Sequence, residues 1–167
     1  MKKLQVLIGA MIALFSISTV NAQNTTSKDA VLIDYYHVKN ALISGDGNAT
    51  SARAKELLAA ISAFPADKLS AVDKTTWTKY ATKLQFDARY IAENSSIVHQ
   101  REHFASLSEN MFATVKALKL NTSAVYRAYC PMKKSYWLSD AAAIRNPYYG
   151  DEMLTCGEVK QTLPAAK

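Results

Sequence analysis

Residues 96–118 read SIVHQREHFASLSENMFATVKAL. Phe104, Leu107, Ser108, Met111, Val115 and Leu118 recur three or four positions apart, which places them on one face of a helix. Asn94-Ser95-Ser96 supplies the break and the cap in front of it. The three preceding segments repeat the pattern. Trp77, Tyr80, Ala81, Leu84, Ala88 and Ile91 form a stripe over 73–93, with Asp73 as the expected cap. Ala54, Leu57, Leu58, Ile61 and Phe64 do so over 49–64, which Pro65 ends, and residues 65–72 have room for one short turn of helix. Val31, Leu32, Tyr35, Val38 and Leu42 mark a first helix from about Lys28, stopped by Gly45-Asp46-Gly47-Asn48. Four amphipathic helices with short links predict an all-α fold, an antiparallel four-helix bundle.

After Leu120 the texture changes. Residues 121–160 hold Pro131, Pro147, Gly150, Gly157 and both cysteines, and predict a small irregular or extended C-terminal segment folded against the bundle. The bundle and this Cys/Met segment form one domain over 28–160, with residues 161–167 expected to fray.

The other end of the chain reads as an export signal. Lys2 and Lys3 precede an apolar run from Leu4 to Val20, and Val20-Asn21-Ala22 has the small residues of a cleavage site. Residues 1–22 are thus expected to be removed, leaving 23–27 as a flexible N-terminus and placing the protein in the periplasm or outside the cell. Without those two lysines, 18 basic side chains face 14 acidic ones in 145 residues, net +4. This mild balance shows no basic stripe with interleaved aromatics, so no nucleic-acid partner is expected. No membrane span is expected after cleavage. With 49% hydrophobic and 20% charged residues and a mean hydropathy of −0.10, the chain suits one globular domain.

Two constellations carry donor atoms. His99 and His103 lie four residues apart, on one helix face, as a two-imidazole metal site needs. Glu102 precedes the second histidine, where a zincin base would follow the first, and no third ligand or nucleophile is evident, so a hydrolase reading has little support. The second constellation is Cys130-Pro131-Met132 and Met153-Leu154-Thr155-Cys156. Thiolate and thioether are soft donors that suit Cu(I). The competing reading is a Cys130–Cys156 disulfide, common when two cysteines occur in an exported chain. No P-loop, dinucleotide fingerprint, G-x-S-x-G elbow or complete calcium loop occurs.

The runs Tyr129-Cys130-Pro131-Met132, Tyr136-Trp137-Leu138-Ser139, Ile144-Arg145-Asn146-Pro147-Tyr148-Tyr149-Gly150 and Met153-Leu154-Thr155-Cys156-Gly157, with His99-Gln100-Arg101-x-His103-Phe104-x-x-Leu107-Ser108, resemble an uncharacterised family of exported bacterial proteins, a domain of unknown function. The resemblance spans about residues 28–160. Members also occur fused to periplasmic adaptor subunits of copper/silver-type heavy-metal efflux pumps. The resemblance implies no catalytic activity. It implies a role in metal binding or delivery, with copper as the ion, and an efflux adaptor or another envelope protein as partner.

Together these readings predict a periplasmic soft-metal-binding protein for Cu(I), in metal storage, delivery or efflux, and not an enzyme. Its expected metal ligands are Cys130, Met132, Met153, Cys156, His99 and His103. The alternative is a structural or interaction module of the cell envelope, pinned by a Cys130–Cys156 disulfide. The export reading predicts that the intact mass of the protein recovered from the periplasm lacks residues 1–22; full-length chain in the membrane fraction refutes it.

Overall fold

The computed structural model describes residues 28–166. The four expected helices are present: α1 (Ala30–Ser44), α2 (Gly47–Ser62), α3 (Ala71–Glu93) and α4 (Ile97–Leu118). Their termini follow from local chemistry. Gly45, at φ +72°, closes α1 by donating its N–H to the Leu42 carbonyl. Asp46 then opens α2, its carboxylate accepting from the Ala49 N–H at 2.9 Å. A single 3-10 turn, Ala66–Lys68, follows Pro65. Asp73 is not the cap of α3. The helix begins earlier, and the Ser70 hydroxyl caps it by accepting from the Asp73 N–H at 3.1 Å.

Consecutive helices pack on one another, and the expected stripes are buried. Tyr35, Val38, Leu42, Leu57, Leu84, Ile91, Phe104, Leu107, Met111 and Val115 are all fully enclosed. Leu58, Tyr80, Ala81 and Leu118 are only partly covered.

The fold is not all-α. Residues 125–163 add a three-stranded antiparallel sheet, so the domain is a mixed helix-and-sheet structure. Strands β1 (Val125–Cys130) and β2 (Ser135–Ser139) form a hairpin across residues 131–134. Strand β3 (Glu158–Leu163) pairs with the other edge of β1, Val125 opposite Leu163 and Tyr129 opposite Glu158. The C-terminal segment, expected as irregular or extended, thus holds three ordered strands, while residues 140–157 stay irregular around one 3-10 turn, and Gln161–Leu163, expected to fray, lie in β3. Helical periodicity cannot detect such strands. They are five or six residues long, and β3 has mostly exposed side chains, so its order comes from backbone hydrogen bonds to a distant segment.

The sheet docks on the bundle through specific polar contacts. The buried Tyr35 hydroxyl lies 2.7 Å from the Ser108 hydroxyl on α4 and accepts from the Leu138 N–H of β2 at 3.0 Å. The Tyr35 ring stacks on Phe104, centroids 5.2 Å apart. Lys39, only 4% exposed, reaches the Asp140 carboxylate at 3.0 Å just beyond β2. Arg127 of β1 lies between the rings of Phe112 and Tyr136, 4.1 and 3.9 Å from their centroids, and grips Glu109 of α4.

At the other end, the fully buried Gln100 ties three helix ends together. The two N–H groups of its side-chain amide are shared among the carbonyls of Gly47, Ile91 and Asn94, all within hydrogen-bonding distance. Gly47 lets this junction close, because a Cβ there would stand 1.9 Å from the Ser95 carbonyl oxygen.

Two substitutions test these joints by urea denaturation. Tyr35→Phe leaves the Leu138 N–H without its acceptor and should cost about 1–3 kcal/mol. Gly47→Ala should cost at least as much, about 1–3 kcal/mol or more for overpacking against backbone. Variants as stable as the parent would show that neither joint bears on stability.

Candidate metal centre

Cys130 ends β1 and Cys156 stands two residues before β3. Because β1 and β3 pair with Tyr129 opposite Glu158, the two cysteines meet at the same end of the sheet. Both are free thiols. Cys130 is fully buried and Cys156 partly so. The pKa of the Cys156 thiol is pushed up first by desolvation and then by the neighbouring Cys130 sulfur.

The buried Asn146 holds this end of the sheet. Its amide donates to Cys130 Sγ at 3.2 Å and to the Cys156 carbonyl at 2.8 Å, while its Oδ1 accepts from the Tyr148 N–H at 2.8 Å. The Lys133 N–H, from the β1–β2 loop, is a second donor to Cys130 Sγ at 3.4 Å. Gly157 lets the chain turn into β3. It adopts φ +141°, and a Cβ there would meet Trp137 Cη2 at 2.7 Å and the Tyr129 oxygen at 2.9 Å.

Each methionine lies on a segment that carries a cysteine. Met132 is in the β1–β2 loop, two residues after Cys130, and is 61% exposed. Met153 ends the 3-10 turn Gly150–Met153 and is 38% exposed; its carbonyl accepts from the Cys156 N–H at 3.0 Å. Neither thioether is consumed by core packing.

His99 and His103 occupy a different place, the surface where α4 faces α3. Their ring centroids are 4.7 Å apart. His103 stacks on Tyr90 at 4.7 Å, and its Nδ1 lies 3.3 Å from the carboxylate of the buried Asp87. The structure thus brings the thiols together and, separately, the imidazoles together. Among the described residues, no imidazole joins the two thiols in a group whose ligating atoms all lie within 4.8 Å of one another.

One such group does exist elsewhere, formed by Asp34, His37 and Glu56 on the outer face of α1 and α2. His37 pairs with Asp34 at 3.2 Å, and the Glu56 carboxylate is taken by Arg53 at 2.8 and 3.1 Å. These are exposed ion pairs of an ordinary kind.

Asn146 and Asp87 received no role in the sequence reading. Asn146 had no signal beyond lying in the Ile144–Gly150 run. Asp87 did have one. It falls three residues after Leu84 and four before Ile91, on the buried face, where an acid needs a partner.

The contact between the thiols predicts their reactivity. Cys130 raises the Cys156 pKa, so Cys130→Ala should lower it. The pH midpoint for alkylation of Cys156 by iodoacetamide should then move down, with faster labelling at pH 8. An unmoved midpoint would separate the two sulfurs.

No curated protein and no solved structure matches the chain. One family model does, that of DUF3347, described as a protein of unknown function, over residues 31–123. The match covers α1 to α4 and ends just before β1, so it includes the histidines and leaves out the cysteines. Spanning more than half of the 167 residues, it shows that the chain belongs to the DUF3347 family.

Proposed function

We propose that the protein binds a soft metal ion, Cu(I), at the Cys130–Cys156 pair, and that it stores, delivers or helps to expel copper in the periplasm. The observation that carries this reading is the juxtaposition of two free thiols from segments far apart in sequence, each with an exposed methionine nearby. Two thiolates neutralise and hold a monovalent soft cation, and a thioether completes the coordination without adding charge. Asn146 serves as the outer support: by bonding Cys130 Sγ and the Cys156 carbonyl it fixes the spacing between the two ligands.

The reading makes the protein a carrier and not a catalyst. The donor atoms lie at one end of the sheet and on the adjoining segments, where Met132 and Met153 are open to a partner. An efflux adaptor or another envelope protein is the partner proposed. The export signal, which lies outside the described residues, supports the periplasmic placement. Among the described residues no helix is long and apolar enough to cross a membrane.

Affinity should fall as the pH falls. The Cys156 thiol has a raised pKa, so at neutral pH metal binding must displace its proton, and acid favours that proton.

The test is an anaerobic titration of the reduced protein with Cu(I) against a chromogenic chelator, with a parallel thiol count. One equivalent should bind. Cys130→Ser or Cys156→Ser should abolish binding, Met132→Leu or Met153→Leu should weaken it less, and Asn146→Ala should cost about 10–100-fold. Circular dichroism confirms that each variant is folded. A Cys130–Cys156 disulfide that resists reduction, with no copper bound, would overturn the proposal in favour of a structural pin.

A further inference from the structure

A second cluster of donor atoms remains unused by the thiol site. It is built on α3 and α4 from Asp87, Tyr90, His99 and His103. Asp87 is 3% exposed, and its carboxylate faces His103 Nδ1 at 3.3 Å. A carboxylate only accepts, so a neutral ring that makes this contact as a hydrogen bond donates from Nδ1 and offers Nε2 to an ion. Tyr90, stacked on His103 with an interplanar angle of 12°, fixes the plane of the ring. His99 sits one turn earlier on α4, its ring 4.7 Å from that of His103.

The spacing of the two rings has a physical meaning. An ion held at about 2.0 Å from one nitrogen of each imidazole, with the two bonds about 90–110° apart, sets the ring centroids about 4.5–5 Å apart. The observed 4.7 Å is close to that separation. A carboxylate bonded to the far nitrogen of a ligating histidine is the arrangement that orients such a ligand and raises its basicity. Buried on the core side of α3, Asp87 is placed to do this and not to bind the ion itself. Neither imidazole is closed off: the His103 side chain is 22% exposed and His99 is half-buried.

We propose that His99 and His103 form a second metal site, distinct from the thiol pair, that takes a divalent cation with a preference for imidazole, of the Ni(II) or Cu(II) class, with Asp87 as the residue that positions His103. Imidazole suits these borderline ions, whereas the thiol and thioether donors at the end of the sheet suit Cu(I). The two donor sets therefore divide the chemistry of a metal between a divalent form and a soft monovalent form on one small domain. The remaining coordination positions fall to water or to a ligand brought by the ion's donor. This inference does not rest on the thiol site, and either can fail without the other.

Paramagnetic Ni(II) tests it, because line broadening reports where the ion sits. Substoichiometric Ni(II) added to the isotope-labelled mature protein should first broaden resonances of Tyr90, His99 and His103. His99→Ala or His103→Ala should abolish that set. Asp87→Asn should weaken it about 10–100-fold while His37→Ala leaves it unchanged. His103→Gln, which keeps a polar side chain beside Asp87, serves if the alanine variant fails to fold. Broadening confined to residues around Cys130 and Cys156, or around His37, with the α3–α4 resonances left sharp, would overturn the proposal. So would a broadened α3–α4 set that survives loss of both histidines.

Discussion

The hydroxyl of Tyr35 holds the two halves of this domain in register. It is buried at the centre of the bundle, where a polar atom without a partner would be costly. It finds partners on both sides, the Ser108 hydroxyl of α4 and the Leu138 N–H of β2. One oxygen thus fixes how the sheet sits on the helices, and the stacked Phe104 ring keeps that oxygen in place. Lys39 and Arg127 repeat the device nearer the surface, each carrying a cation from one layer to an acid or an aromatic face on the other.

With the sheet anchored in this way, its far end becomes a rigid platform. The pairing of β1 with β3 carries Cys156 to the side of Cys130, and Asn146 locks the segment between β2 and β3 onto both. The thiols owe their proximity to strand register, since 25 intervening residues separate them in the chain. A sheet end is a suitable place for a ligand pair, because backbone hydrogen bonds limit its drift and the adjoining loops stay open to solvent. The helical layer has its own donor cluster, set by the one-turn spacing of His99 and His103 and by the packing of α3 against α4. The sulfur set is soft and gathers at the end of β1 and on the segments beside it, whereas the nitrogen set is borderline and lies on a helix surface. Their separation follows from α4 turning one face to α3 and another to the core beneath the sheet.

The helices could be read from the sequence because their signal is local. An apolar residue every three or four positions must line one face, and burying Tyr35, Leu57, Leu84 and Phe104 follows from that spacing alone. Caps are less legible: Asp73 is the cap that the sequence suggests for α3, yet the Ser70 hydroxyl three residues earlier does the capping. The sheet could not be read in the same way. Its strands are short, β1 carries a register shift at Arg127/Ala128, and β3 has little apolar alternation. Their order comes from pairing partners that the linear sequence does not identify.

The sequence by itself determined four helical stripes, the residue types able to hold a metal, and the one-turn spacing of the two histidines, because each depends only on neighbours within a turn or two. Tertiary structure alone decided which donors meet. It joined Cys130 to Cys156 through strand register, put Asp87 behind His103 through helix packing, and kept the imidazoles apart from the thiols. Those outcomes depend on how whole elements lie against one another, and that is fixed by joints such as Tyr35, Gln100 and Asn146, whose partners lie up to about a hundred residues away.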